Sequence, residues 1–433
     1  MIDAVLPSPN RTHIQWCNHA SFMVHHDPIS LLVDPWFTGS VFEHGWDLLC
    51  ETPVQDLSAV TDVWVSHEHP DHFHPPTLRS IPPEQRAQMR FWFRATRDGK
   101  VAGYARALGF AEVSECRVGT QYELGPGVRL QVEPWELFDS FAVIRTPDSV
   151  IVDLNDCKTR GAWSAHRLAR RLRDVPVDVL ITQVEAGDDV QMLVEQVRAL
   201  KPRVVVPGAS FVWFSHAENA QHNAGISRID RAWRRLRNAV DADVVILYPG
   251  DDWIIGAPHD SLGALERYRA DYDRLATGRE FHDSSPVARE QLRLNAALWG
   301  ARLRSVNGKR MLSGLERLGA LPSTAIWVTD LGEGFTLSAR GLEPSSTSAA
   351  ACDVALTSSA LDSVFRLPWG GNTLSVNGRV AFPAGGSAQR FRRWMAISSY
   401  NNHGYRIGQV LPRLAREAVQ RRLATSHTAE VTS

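Results

Sequence analysis

The sequence predicts an α/β fold followed by a smaller α+β unit. Short apolar runs of strand length recur through the first half of the chain. Between residues 162 and 207, amphipathic helical patterns alternate with apolar strands, which is typical of layered α/β domains. Turn-rich strand patterns return after residue 301. With 433 residues, the chain is long enough for two or three domains with cores of their own.

Composition narrows the class of protein. Lys and Arg total 47 against 48 Asp and Glu, and without a basic stripe in the sequence we do not expect a nucleic-acid partner. The cysteines are widely spaced and odd in number, so neither a disulfide framework nor a Cys-x-x-Cys site is predicted, and a reducing cytoplasm is the expected compartment. No apolar run approaches ~18 residues, so we expect a soluble protein without a membrane partner.

Three short strands are predicted near the start, over residues 13–17, 22–25 and 31–34, with turns between them. The third strand ends at Asp34, which precedes a proline. Trp36 and the aromatic residues between positions 42 and 46 then form a loop that we expect to cover a pocket.

The residues that carry chemistry follow the next apolar strand, at 63–65. His67, His69, Asp71 and His72 form the pattern His-x-His-x-Asp-His, and the surrounding prolines keep this segment out of a helix. In a loop at a strand end, the first two histidines can serve one point in space and Asp71 with His72 a neighbouring one. Imidazole nitrogens and a carboxylate suit zinc, iron or manganese.

This motif resembles the metal motif of the metallo-β-lactamase superfamily. The resemblance covers roughly the first 255 residues and implies an αββα sandwich with two metal positions at one edge of its paired sheets. It implies that Asp34 lies beneath the metals and orients a ligand histidine, with a simple Asp-Pro turn as the alternative. It also implies that Asp156, after the strand at 150–154, bridges the metals, with a helix N-cap as the alternative.

The resemblance leaves two ligand positions that the sequence fills in an unusual way. Where superfamily hydrolases carry a further histidine, the register points to Glu136, with Glu133 as the rival. The last ligand is assigned to His216, with His222 as the alternate. The stretch around His216 resembles the CMP-N-acetylneuraminate hydroxylase-like branch, although the Cys/His pairs of that branch's iron–sulfur domain are absent here.

The implied ligand set predicts the chemistry. His67, His69 and Glu136 would bind one metal, Asp71, His72 and His216 the other, with Asp156 between them. Two divalent ions against three carboxylates leave a formal charge of +1, where a two-carboxylate hydrolase site leaves +2, and the lower charge favours iron over zinc.

That ligand composition resembles the diiron β-hydroxylases of natural-product pathways. We therefore expect a non-haem diiron monooxygenase that uses O2 to hydroxylate a C–H bond of a natural-product intermediate, such as a terpenoid or other carboxylic acid or its thioester. Glu136 and Asp156 are its predicted catalytic residues. No Rossmann or iron–sulfur motif is visible, so electrons must come from an external reductase or ferredoxin. The alternative is a binuclear zinc or manganese hydrolase of an ester, thioester, lactone or phosphodiester.

The predicted organisation has four parts. A metallo-β-lactamase-like catalytic domain spans residues 1–256, and a helical connector or lid spans 257–300. A C-terminal α+β domain at 301–424 is assigned to homodimerisation or to shaping the substrate pocket, with a strand predicted at 373–376. The tail at 425–433 is predicted to be disordered.

Overall fold

The computed structural model describes residues 11–159, 161–172, 175–184 and 189–412. Contacts between residues divide the chain into two compact units. Unit one comprises the residues up to Val41 together with Asp47–Trp213 and Asn223–Glu280, and unit two comprises Phe42–Trp46, Phe214–His222 and the residues from Phe281 onward. The predicted tail at 425–433 lies outside the described residues, and the proposed domain boundaries stay predictions.

Unit one contains most of the strands. In chain order they are β1 (His13–Asn18), β2 (Ser21–His26), β3 (Ile29–Val33), β4 (Trp46–Leu48), β5 (Asp62–Trp64), β6 (Arg90–Arg94), β7 (Glu112–Cys116), β8 (Gln121–Gly125), β9 (Val128–Trp135), β10 (Asp139–Arg145), β11 (Val150–Asn155), β12 (Val179–Gln183), β13 (Val204–Gly208), β14 (Val212–Phe214), β15 (Asp243–Val244) and β16 (Asp252–Ile254). The helices of unit one are α1 (Pro75–Ser80), α2 (Pro83–Arg86), α3 (Lys100–Ala107), α4 (Ala162–Leu172), α5 (Gln191–Leu200), α6 (Ile229–Ala239) and α7 (Ser261–Gly278). A 3-10 helix at Ala217–Gly225 belongs mostly to unit two.

Fourteen of these strands form two mixed seven-stranded sheets, as the predicted sandwich requires, and β4 pairs with β14. The first has the order β16-β1-β2-β3-β5-β6-β7, and the second has the order β15-β13-β12-β11-β10-β9-β8. Side chains of successive strand residues point to opposite faces. Phe22 and Val24 therefore pack in the core that both sheets share, whereas Met23 packs with Leu78 of α1 on the other face of the first sheet.

Strand direction brings the chemically important segments to one edge of each sheet. In the first sheet β1 and β3 both run antiparallel to β2, and β3 runs parallel to β5. The turn after β1, the residue after β3 and the motif after β5 therefore lie at the same edge. In the second sheet β10 runs antiparallel to β11, so the start of β10 lies beside the end of β11.

Unit two is an α+β unit built on a four-stranded sheet. The strands β17 (Thr324–Val328), β18 (Glu333–Ser338), β19 (Gly341–Ser345) and β20 (Val354–Leu356) have the order β19-β18-β17-β20. The helices are α8 (Arg289–Asn307), α9 (Lys309–Arg317), α10 (Ser358–Arg366), α11 (Gly370–Asn377) and α12 (Ala388–Asn402). Among the described residues, none of the helices is long and apolar enough to cross a membrane.

The strand predicted at 373–376 is wrong, because these residues belong to α11. The alternation of Thr373, Leu374 and Val376 suggested a strand. The structure buries Gly370, Thr373, Leu374 and Asn377, a spacing of three and four residues that places them on one helix face. Gly370 also lies so close to the backbone of α10 that a Cβ atom there would stand 2.2 Å from the carbonyl oxygen of Ser363. Tertiary packing, not local propensity, therefore decides this element.

Candidate metal centre

Two groups of potential metal ligands lie at the edge of unit one. The first contains His67, His69 and Asp156, each with one donor atom within 4.8 Å of the others. The Nε2 atom of His67 lies 2.9 Å from Nδ1 of His69, and 3.9 Å from Oδ2 of Asp156. Because α4 begins at Ala162, Asp156 is not the N-cap of that helix. These donors converge on one point.

The second group contains His19, Asp71 and His72, all of them buried. Oδ2 of Asp71 lies 3.5 Å from Nε2 of His19 and 3.4 Å from Nε2 of His72. Oδ2 of Asp156 lies 3.6 Å from the same His72 nitrogen. Asp156 is thus near both groups, where a carboxylate can contact two metals.

Buried atoms without partners show that this second group fits a metal. Both ring nitrogens of His19, Nε2 of His72 and Oδ1 of Asp71 have no hydrogen-bond partner. Leaving a polar atom buried and unpaired costs about 1–3 kcal/mol. A cation bound by these imidazole and carboxylate donors would compensate that cost, and the donor set suits zinc, iron or manganese.

Asp34 orients the histidines from beneath the motif, which confirms the orienting role that the sequence suggested for it. Its Oδ2 accepts a hydrogen bond from Nδ1 of His72 at 2.9 Å and one from the hydroxyl of Ser66 at 2.7 Å. Its Oδ1 accepts from the Ser66 backbone N–H at 2.7 Å. Because Nδ1 of His72 donates to Asp34, Nε2 is the nitrogen that faces Asp71 and Asp156 and is left to bind a metal.

Ser66 extends this orientation to a second ligand. Its hydroxyl proton is donated to Asp34, so its oxygen accepts from Nδ1 of His67 at 2.9 Å. The amide of Asn155 donates to the same hydroxyl at 3.0 Å and also to Asp34. His67 therefore presents Nε2 to the first group. One buried carboxylate thus sets the tautomer of a ligand in each group.

Backbone strain accumulates around these residues. His19, Asp34, Asn155 and Glu136 have φ values of 44°, 41°, 50° and 48°, in the left-handed region that residues other than glycine rarely adopt. Such conformations cost free energy and persist where the surrounding structure enforces them, often at functional sites. At His19, the strained turn after β1 carries the imidazole beside Asp71.

Electrostatics assign a proton to one histidine of the metal-free chain. Burial opposes a charge on His72, but the carboxylates of Asp71 and Asp156 and the hydrogen bond to Asp34 raise its pKa well above the usual value. Burial would raise the pKa of Asp156, but His72 and His67 lower it to about 2. A cation between these carboxylates is therefore favoured, and a metal has to displace the proton of His72.

The other two histidines of the motif are held neutral. Burial lowers the pKa of His67 well below its ordinary value, and the neighbouring His72 and His69 lower it further. Burial also lowers the pKa of His69. Neutral imidazole is the form that binds a metal, so this group is prepared for a ligand role at neutral pH.

Neither glutamate proposed as the extra carboxylate belongs to the two groups. Glu136 is exposed in the turn between β9 and β10. Glu133 is buried elsewhere, where its Oε1 accepts hydrogen bonds from Gly119 N and from Nε2 of Gln131, each at 2.8 Å. A different acid, Asp139, interacts electrostatically with Asp156 and His72 of the centre. Burial, Asp156 and Glu136 raise its pKa to about 7.

His216 and His222 also lie outside the two groups. His216 is buried in unit two, where its Nδ1 accepts from the Glu218 backbone N–H at 3.1 Å and its Nε2 contacts the hydroxyl of Ser284 at 2.9 Å. Nε2 of His222 lies 3.2 Å from the carbonyl oxygen of Gly378. The third member of the second group is His19, not His216.

The sequence reasoning missed His19, Ser66 and Asp139. His19 was taken as part of a turn, although a histidine directly after the first strand was a signal once β1 and β3 are known to run in the same direction. Ser66 directly precedes the motif and is recognisable only from its bond to Asp34. Asp139 stands at the start of β10, beside the end of β11 that delivers Asp156.

Comparisons with known proteins agree with this location. Residues 13–174, which include every member of both groups, match the family described as Beta-lactamase superfamily domain. Over 71 residues the chain is 32% identical to a cytidine monophosphate-N-acetylneuraminic acid hydroxylase from Danio rerio, a match that covers 16% of this chain and 12% of that relative. The enzyme of that name from Sus scrofa is 39% identical over 54 residues, which is 12% of each protein.

Two solved structures are also similar in fold. CmlA, a diiron β-hydroxylase from Streptomyces venezuelae, is 14% identical with a TM-score of 0.38, covering 65% of this chain and 54% of that one. A possible metal-dependent hydrolase from Veillonella parvula is 14% identical with a TM-score of 0.43, covering 56% of this chain and 99% of that one. Unit one of this chain is the part that holds the two ligand groups.

Proposed function

The chain carries a metallo-β-lactamase superfamily domain, and from this premise we propose that its two ligand groups hold a binuclear metal centre that hydroxylates a C–H bond with O2. The observation that carries the binuclear centre is the pair of three-residue groups with Asp156 near both. The partnerless buried nitrogens of His19 and His72 support it as well, because a bound cation would pair these atoms. The chain is accordingly a metal-dependent enzyme.

The choice of iron and oxygen rests on a third carboxylate near the metals. Two divalent ions against Asp71 and Asp156 leave a formal charge of +2. If Asp139 or Glu136 joins them, the charge falls to +1, which favours oxidised iron. The half-buried position of Asp139 and its electrostatic interaction with Asp156 and His72 support this reading. The partial match to two hydroxylases supports it as well.

Four residues of the site have distinct roles in this proposal. A diiron pair would supply the reduction of O2. Asp34 and Ser66 hold the ligand histidines in the tautomers that bind metal, and Asp156 serves as the shared carboxylate. Trp36 is fully buried and packs edge-on against His19 at 5.5 Å between ring centroids, which keeps water from that ligand. We propose a natural-product carboxylic acid or thioester as the substrate, and an external reductase or ferredoxin as the electron source.

Metal analysis combined with oxygen consumption tests the proposal. Protein purified after growth with iron should contain about two iron ions per chain and show an absorption band of an oxo-bridged diferric pair that bleaches on reduction. His67→Ala should lose both metals, because this histidine belongs to one group and its hydrogen-bond chain leads to the other. Stoichiometric zinc, with no effect of O2 on turnover, would contradict the oxygenase.

A hydrolase remains the second candidate because of one specific observation. The two groups themselves contain four histidines and two aspartates, which leaves the +2 centre suited to a metal-bound hydroxide at neutral pH. Ester, thioester, lactone or phosphodiester hydrolysis by the zinc- or manganese-loaded protein under anaerobic conditions would establish it. Asp139→Asn separates the two candidates, since it should abolish iron preference in the oxygenase and leave hydrolysis largely intact.

A further inference from the structure

The outer face of the second sheet carries a polar groove that the metal chemistry does not use. Gln131 and Glu133 alternate along β9, and Val143 and Arg145 alternate along β10. Gln131 pairs with Val143 across the two strands, so these four side chains point to the same face. The inward-facing neighbours Val132 and Ala142 belong to the core between the sheets. The groove has a volume of about 790 Å³.

Helix α4 forms one wall of this groove with three arginines. Arg167, Arg170 and Arg171 are spaced by three and four residues, so they lie on one side of the helix. The guanidinium of Arg167 lies over the ring of Trp135 at 5.5 Å, and Arg171 donates to the carbonyl oxygen of Pro134. These contacts direct positive charge toward the strands. Together with Arg145, four guanidinium groups line one concave surface.

The charge of the groove is not balanced by its own acids. Among the described residues, no carboxylate lies within 4.0 Å of the guanidinium groups of Arg145, Arg167, Arg170 or Arg171. The one acid of the lining, Glu133, is already bonded to Gly119 N and Gln131. Four arginines and one glutamate give the lining a formal charge of +3. A free-standing patch of this charge is costly unless water or an anion compensates it.

The floor of the groove is organised before any ligand arrives. Glu133 accepts from the amide nitrogen of Gln131, so the amide oxygen of Gln131 is turned toward Arg145 and accepts from its Nη1 at 3.2 Å. Burial and the neighbouring Arg129 lower the pKa of Arg145. The hydrogen bond to Gln131 holds this half-buried guanidinium in place, and such a group gains most from a bidentate anion.

We propose that this groove binds a diphosphate-bearing small molecule. Guanidinium groups bind phosphate oxygens in pairs, and four of them around one cavity match an anion with at least two negative charges. The volume lies in the range of small-molecule sites. An acidic protein is a poorer fit, because its carboxylates would meet the exposed Arg170 and Arg171 more readily than the half-buried Arg145.

Calorimetric titration of the metal-loaded protein with inorganic pyrophosphate and with adenosine diphosphate tests this site. We expect saturable binding of one molecule per chain, weakened by added NaCl. Arg145→Gln and Arg170→Gln should each weaken binding about tenfold or more, since each removes a charge-assisted hydrogen bond. Arg234→Gln on α6, which removes an exposed arginine elsewhere, should leave binding unchanged. Tighter binding of the nucleotide than of pyrophosphate would show that the ligand is an organic phosphate ester.

The outcomes are distinguishable from misfolding and from binding at the metals. Arg170 is exposed, so its replacement leaves the fold intact even if the Arg145 variant is destabilised. Iron content should be unchanged in both variants. Equal binding by wild type and the Arg145→Gln/Arg170→Gln double variant overturns the proposal, as does the absence of binding at low salt. If the variants instead slow only electron transfer from a protein donor, the groove is a protein docking surface and the proposal is likewise refuted.

Discussion

Replacing Asp34 by Asn tests the reasoning about the metal centre most directly, because Asp34 touches no metal donor atom yet orients ligands of both groups. The amide has nearly the same shape as the carboxylate. It places an NH2 group where Oδ2 receives hydrogen bonds from His72, Ser66 and Asn155. A donor then faces three donors, and His72 loses the acceptor that fixes its proton on Nδ1.

The size of the effect follows from these contacts. A hydrogen bond to a charged group contributes about 1.5–3 kcal/mol, so losing the bond from His72 alone corresponds to about 10–150-fold in an equilibrium. Partners of metal-binding histidines typically affect metal affinity by about 10–100-fold. We therefore expect Asp34→Asn to weaken binding of the metal held by His72 by about 10–100-fold. Competition with a chromophoric chelator measures this change.

Asp62→Asn is the matched control for Asp34→Asn. Asp62 is also fully buried and charged, and it accepts hydrogen bonds from Trp92 Nε1 at 2.6 Å and from Arg90 at 2.8 Å within the same sheet. Its replacement should lower the melting temperature without changing metal affinity. If Asp34→Asn binds two metals as tightly as wild type, or if both variants lose metal equally, the hydrogen-bond chain does not orient the ligands.

Three further predictions concern single groups of the same centre. His19→Gln should lose one metal equivalent in elemental analysis, whereas His216→Gln should keep both. Both ring nitrogens of His19 lack hydrogen-bond partners, and both of His216 have them. The reverse result would restore His216 as the ligand. Metal binding should release a proton from His72 and tighten as pH rises, which titration in weakly buffered solution detects, and a proton count of zero would contradict the raised pKa of His72. In metal-free protein, the pKa of about 7 for Asp139 means that the folded state holds a proton which the unfolded state has lost, so stability should fall between about pH 4 and pH 7, by at most about 4 kcal/mol. Asp139→Asn should flatten that decline in urea unfolding curves, and an unchanged slope would rule out this titration.

Local patterns predicted the parts of the site that are contiguous in sequence. The motif from His67 to His72 is a strand end with its ligands in one short segment, and its spacing alone indicates a metal site. Asp34 and Asp156 each directly follow an apolar strand, so the sequence alone places both at strand ends, where the metal centre lies. Helix α4 begins at Ala162, where the amphipathic helical patterns begin in the sequence, and its apolar residues Leu168 and Leu172 are buried in the core.

The remainder depends on contacts between distant segments. His19 joins the second group only because β1 and β3 share a direction, which no local pattern encodes. The polar groove combines Arg145 of β10 with the arginines of α4, which are distant in sequence. The balanced overall charge of the chain therefore gave no indication of this positive surface. The segment now assigned to α11 shows the opposite error, where a locally convincing alternation was overruled by the packing of Gly370 against α10.

The position of Asp34 also explains why one metal-free chain can keep so many charged groups together. Its carboxylate accepts the hydrogen bond that Nδ1 of His72 donates, and the Asp71 and Asp156 carboxylates stabilise the second proton of that ring. This imidazolium stands where a metal would later bring positive charge. Binding a metal then exchanges one cation for another and leaves the hydrogen-bond chain unaltered. The site is therefore built before the metal arrives, and we expect the apo and metal-bound proteins to differ little in the backbone from residues 66 to 72.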